Sequence, residues 1–117
     1  MAKEPTMDIN KTLLKRCVLI EVSGKIDSNT APQLAEQIKT VTEEGNYHLV
    51  LDFSKLEFIS SAGLWVLNNA RKTCKRYNRG ELVLAGISPK IRSALDLAGF
   101  LPYYPIYKDA AEAVGNF

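Results

Sequence analysis

A chain of 117 residues with 46% hydrophobic and 24% charged residues is one domain with enough apolar material for a real core, which excludes disorder. Its net charge of +2 is small and its basic residues are scattered, so no nucleic-acid partner is expected. No apolar run is long enough to span a bilayer and the Met1–Pro5 start has no secretory pattern, so a cytoplasmic protein without a membrane partner is expected.

Residues 7–14 alternate loosely, with Met7, Ile9 and Leu13 on one face, and read as a first strand. Lys15 and Arg16 make a turn, and Cys17–Val22 is a strongly β-prone second strand. Gly24 ends it, leaving Lys25–Asn29 as a loop. Thr30 opens a helix as a hydroxyl N-cap, with Pro32 in the first turn and Gln33 three residues on. Leu34, Ile38 and Val41 form its buried stripe beside Ala31 and Ala35, and Gly45 stops it. Leu49–Phe53 is nearly continuous apolar sequence, suited to a central strand covered on both faces.

Lys55–Gly63 reads as the loop after that strand. In the helix that follows, Leu64, Leu67, Arg71 and Cys74 mark one line and Val66, Ala70 and Tyr77 another, ending before Gly80. Glu81–Ala85 is a strand closed by Gly86. Ser88 and Pro89 then start a helix with Ile91, Leu95 and Ala98 inward and Gly99 as its stop. Tyr104–Tyr107 reads as an edge strand between prolines, and Asp109–Val114 as a last helix. A hairpin followed by strand–helix units predicts a single α/β domain over 1–117, with an ordered core of about 7–115. The expected sheet is mixed but mostly parallel, of four to five strands with about four helices, its N-terminal strand antiparallel.

Chemistry concentrates where the third strand hands over to a helix. Ser60 and Ser61 stand together before the small residues Ala62 and Gly63, and hydroxyls with free backbone N–H groups at a helix start favour negative charge. Plain helix capping is the simpler use of the same residues. Catalysis lacks partners: His48 is the only histidine and lies before the far end of the preceding strand, and no Gly-Lys-Ser/Thr follows Gly63. Asp52 with Asp27 is too little carboxylate for an aspartyl-phosphate site with its divalent cation. Asp52 is instead expected to accept hydrogen bonds from the loop after its own strand. Cys17 and Cys74 have no metal or redox spacing and read as buried, reduced thiols. Arg71, Lys72, Lys75, Arg76 and Arg79 read as the solvated back of a helix, with an interaction face as the alternative. No catalytic residue, metal or cofactor is expected. The loops Lys25–Asn29 and Lys55–Gly63 are expected at one rim of the sheet, where sites gather in such folds.

Three stretches resemble the STAS domains, and within them the anti-sigma factor antagonists. They are Val22–Leu34, Leu49–Leu64 with its Ile-Ser-Ser-Ala-Gly-Leu segment, and Leu82–Arg92 with Leu97–Phe100. The resemblance implies a bacterial regulator without catalytic activity that binds an anti-sigma factor serine kinase and so frees a sigma factor. It further implies phosphorylation at the helix start by that kinase, blocking binding, and reversal by a PP2C-type phosphatase. In the best-known members the hydroxyl stands immediately before the glycine, where this chain has Ala62, so Ser61 is the expected acceptor and Ser60 the alternate. The expected partner-binding set is Asp27, Ser28, Asn29, Ser60, Ser61, Ala62, Gly63, Leu64 and Trp65. Trp65 stands where glycine or arginine is commoner in the family, as either a core filler or an exposed anchor. The alternative function is a phosphorylation-independent STAS scaffold subunit of a transport or sensory complex.

Overall fold

A computed structural model describes residues 7–117. Five strands form one sheet in the order of the chain: β1 (Met7–Leu13), β2 (Val18–Ile26), β3 (His48–Ile59), β4 (Glu81–Ala85) and β5 (Ile106–Tyr107). The hairpin β1–β2 is antiparallel and the other three pairings are parallel, which is the mixed sheet expected. Four helices complete the domain: α1 (Ala31–Glu43), α2 (Ser61–Lys75), α3 (Pro89–Leu97) and α4 (Ala110–Gly115).

The helices divide unequally between the two faces of the sheet. Leu34, Ile38 and Val41 of α1, Leu64, Leu67 and Cys74 of α2, and Ile91 and Leu95 of α3 share one core with Ile20, Ile26, Leu51, Phe53 and Leu84. On the other face Ala113 of α4 meets Cys17, Val50, Val83 and Ala85. Covering both faces of β3 and β4 explains their continuous apolar runs. Both cysteines are buried and unpaired, and burial raises the Cys74 thiol to about 12.

Several elements differ from the sequence reading. β2 runs through Gly24 to Ile26, and β3 runs five residues into the expected loop, to Ile59. Pairing in parallel, Glu21 to Ile26 takes five steps on β2 while the partners Asp52 to Ile59 take seven on β3. Two extra residues are absorbed at irregularities between Glu21 and Ser23 and between Gly24 and Lys25. Phe53, Leu56 and Ile59 are therefore buried at a spacing of three, which hides the period of two by which a strand is recognised.

Smaller corrections have local causes. Leu13 is exposed at the end of β1, outside the core. Tyr77 lies beyond α2 in a left-handed conformation (φ 58°) and is 85% exposed, so it supplies no buried line. α3 ends at Leu97, leaving Ala98 exposed, and Ala94 packs in its place. Tyr104 precedes β5 and is buried, where an edge-strand residue was expected. At Gly86 the chain turns with φ +69°, and a Cβ there would lie 2.9 Å from Ser54 Cβ, so both conformation and space require glycine.

Candidate functional site

The last pair of the β2–β3 ladder, Ile26 with Ile59, sets the site. One residue beyond Ile59, the Ser60 amide donates to the Ile26 carbonyl at 2.8 Å, so Asp27 and Ser60 leave the sheet side by side. β4 pairs only as far as Asp52, so β2 and β3 project beyond it and carry this rim clear of the sheet. The two expected loops do meet, each shorter than the sequence indicated.

The Asp27–Thr30 turn is closed by its own side chains. Asp27 Oδ1 accepts from the Asn29 amide at 2.9 Å and the Thr30 amide at 3.0 Å. The Thr30 hydroxyl accepts from the Asp27 amide at 2.8 Å and donates to the Lys25 carbonyl at 2.9 Å. Thr30 is thus a buried latch across the turn and makes no side-chain cap, contrary to expectation. The Asp27 carboxylate instead closes the turn ahead of the helix, and the amides of Thr30 and Asn29 hold its pKa below the usual carboxylate range. Ser28 and Asn29 are exposed at the tip.

The two serines are not equivalent. Ser60 is the N-cap of α2, and its hydroxyl accepts from the Gly63 amide at 3.2 Å. Ser61 is the first helical residue and exposed, with no hydrogen bond to its hydroxyl from any described residue. Ala62 is half-buried against the core. Gly63 and Leu64, expected in the docking set, are buried and so support the rim from beneath without reaching its surface. A Cβ on Gly63 would lie 2.6 Å from Ile26 Cγ2 and 2.8 Å from Ile59 Cγ1, so glycine lets α2 sit directly on the strand ends.

Trp65, one turn after Ser61, is 57% exposed, which removes the core-filler reading. Its ring stands edge-on to Phe100, 5.8 Å between centroids. Thr30 and Phe100 escaped the sequence reading of the site. In the sequence Phe100 stands out only within the Leu97–Phe100 stretch of the family resemblance. Elsewhere, Asp52 Oδ1 accepts from the Ser54 amide at 3.0 Å, the local turn role expected for it. His48 is exposed at the opposite end of β3, away from both serines. Among the described residues no group of three or more His, Cys, Asp or Glu side chains gathers as a metal site. No helix there is long and apolar enough to cross a membrane. Among the described residues the rim carries the Ser60 and Ser61 hydroxyls with the Asp27 carboxylate alongside and no histidine.

A hairpin thus leads into a parallel sheet, and a serine-capped helix rests on the ends of its two longest strands. The STAS domain family matches residues 8–113, and the chain belongs to it. BtrV of Bordetella bronchiseptica, classed by name among anti-sigma factor antagonists, is 32% identical over 112 residues, covering 96% of this chain and 92% of that one. The anti-sigma-B factor antagonist of Listeria monocytogenes is 30% identical over 97 residues, covering 83% of this chain and 84% of its own. The crystal structure of an anti-sigma factor antagonist from Mycobacterium paratuberculosis superposes with a TM-score of 0.84 at 25% identity, covering 94% of this chain and 92% of that one. These relatives are named for antagonising another protein, a binding activity and not a catalytic one.

Proposed function

We propose that this protein is an anti-sigma factor antagonist that works by partner switching in the bacterial cytoplasm. Unphosphorylated, it binds an anti-sigma factor that is also a serine kinase, through the rim formed by Asp27–Asn29 and Ser60–Trp65, and a sigma factor is released. Phosphorylation of Ser61 by that kinase ends the interaction, and a PP2C-type phosphatase restores it.

One observation carries the choice of Ser61: the residue is exposed and its hydroxyl bonds to none of the described residues, whereas Ser60 spends its oxygen on the Gly63 amide. A phosphoserine brings roughly −1.5 to −2 charges at neutral pH. At the first position of α2 those charges face the unpaired amides and the positive end of the helix, so the fold tolerates them. Burial of the same dianion within an interface is costly, and it repels facing carboxylates. Binding is lost while the fold stays intact.

Incubation with the anti-sigma factor kinase of the same organism and ATP, followed by phosphopeptide mapping, tests this directly. Phosphate is expected on Ser61 and absent from Ser61→Ala. Ser61→Asp is expected to lose kinase binding with its melting temperature nearly unchanged. Phosphate on neither Ser60 nor Ser61 would sink the proposal.

A further inference from the structure

The two edges of the sheet are protected very differently. β5 is two residues long and follows Pro105, and α4 packs beside it. β1, at the other edge, is seven residues long, holds no proline and pairs with β2 without a bulge from end to end. Among the described residues no strand lies on its outer side, so a row of backbone N–H and C=O groups is open to another strand. Of the usual edge defences it carries a single lysine, Lys11.

Along β1 the side chains alternate. Met7, Ile9, Lys11 and Leu13 share the face on which α1 lies, and Asp8, Asn10 and Thr12 share the other. The end of the first series is uncovered, with Leu13 67% exposed. Between this edge and α1 runs a groove of about 540 Å³, with Met7 and Ile9 on one wall and Pro32, Gln33, Glu36 and Gln37 on the other. Glu36 is exposed and, like Lys11, has no ion-pair partner among the described residues.

We infer that β1 is the docking edge for a second copy of this chain, joined strand to antiparallel strand about a two-fold axis into one continuous sheet. The inference is independent of the phosphorylation switch. Symmetry restricts the register. Directly opposed residues of antiparallel strands point to the same face, so a two-fold axis normal to the sheet must set one residue of β1 opposite itself. An axis at Lys11 opposes like charges, and one at Ile9 leaves Thr12 and Leu13 past the end of the other strand. Axes nearer either end pair fewer residues still. An axis at Asn10 pairs all seven: Met7 with Leu13, Asp8 with Thr12, Ile9 with Lys11, and Asn10 with its own copy. In that register the exposed Leu13 is covered by Met7 of the second copy. Lys11 of each copy lies opposite Ile9, at the groove where Glu36 of the other stands, so symmetry makes this complementary contact twice. The strands of the two copies run in opposite directions, so the rims bearing Ser61 lie at opposite ends of the joined sheet and both stay open.

Cysteine cross-linking reads this register directly. Opposed Cα atoms of an antiparallel pair lie about 4.5–5.5 Å apart, within disulfide reach. Thr12 and its own copy would instead be offset along the strand by about 13 Å, and so would Asp8 and its copy. Asn10→Cys is therefore expected to form a covalent dimer on mild oxidation, whereas Asp8→Cys and Thr12→Cys do so only when mixed with each other. The native Cys17 and Cys74 are buried and stay out of the reaction. Sedimentation of the unmodified protein from micromolar to millimolar concentration is expected to show a monomer–dimer equilibrium. Lys11→Glu and Glu36→Lys should each weaken it about 10-fold, since each contact occurs twice, and the double variant should recover it. A monomer throughout that range, with Asn10→Cys cross-linking no more than Thr12→Cys, would overturn the inference. So would a dimer that links through Asp8→Cys or Thr12→Cys alone as readily as through Asn10→Cys, because it would use another register or another surface.

Discussion

Gly63→Ala isolates the contact on which the rim is built. In an ordinary helix the change stabilises by up to about 1 kcal/mol, because alanine restricts the unfolded chain and favours the helix. Here the new methyl would meet Ile26 Cγ2 at 2.6 Å and Ile59 Cγ1 at 2.8 Å, inside any real carbon–carbon contact. Both isoleucines are buried among α1, α2 and the strand ends, so neither can swing into solvent. Overpacking of this kind costs about 1–3 kcal/mol. The net expectation is a loss of about 1–2 kcal/mol, or roughly 3–8 °C in melting temperature for a domain of this size. Because α2 can relieve the clash only by lifting from Ile26 and Ile59, Ser60 and Ser61 move relative to Asp27 and kinase binding weakens as well. Urea unfolding monitored by circular dichroism, beside a binding titration, measures both. A Gly63→Ala protein as stable as wild type or more so would show that α2 does not need the glycine to rest on the strand ends.

Other substitutions separate the roles of neighbouring groups. Ser60→Ala removes the cap on Gly63 and should cost about 1 kcal/mol, whereas Ser61→Ala should stay within about 0.5 kcal/mol of wild type by thermal melting. Equal losses would refute the division of labour between them. The carboxylate of Asp27 is favoured by the amides of Thr30 and Asn29, so its pKa is lower in the folded state. Its contribution is present above the unfolded value of about 3.9 and is lost as pH falls through the lower folded value. Asp27→Asn should therefore flatten the decline in the urea midpoint below about pH 4, and superimposable curves would speak against the turn geometry. Cys74, raised to about 12 by burial, favours the folded state fully below the unfolded thiol pKa of about 8.5 and progressively less as pH climbs towards 12. Labelling of Cys74 at pH 8 should proceed only as fast as the protein opens, and labelling at the rate of a free thiol would contradict its burial.

Much of this protein follows from sequence alone, for local reasons. Ser88 with Pro89 specifies the start of α3, because a hydroxyl before proline satisfies a free amide while proline presets the helical backbone. The stripe Leu34, Ile38 and Val41 needs only the helical period to predict its burial. The continuous apolar runs of β3 and β4 announce a sheet covered on both faces. The Ser-Ser-Ala-Gly segment marks the start of α2 by residue type alone.

Long-range contact decided the rest. β3 extends to Ile59 because β2 holds it there through two irregularities, and no local pattern records a pairing whose phase is reset by a neighbouring strand. Thr30, which has the residue type of a cap, became a latch because Lys25 and Asp27 bend back to it. Ser60 and Ser61 are chemically identical in sequence. The close seat of α2 on Ile26 and Ile59, which only Gly63 permits, points one hydroxyl into the helix start and leaves the other free. Residue type placed chemistry at this rim, while packing decided which of its atoms are still available to a partner.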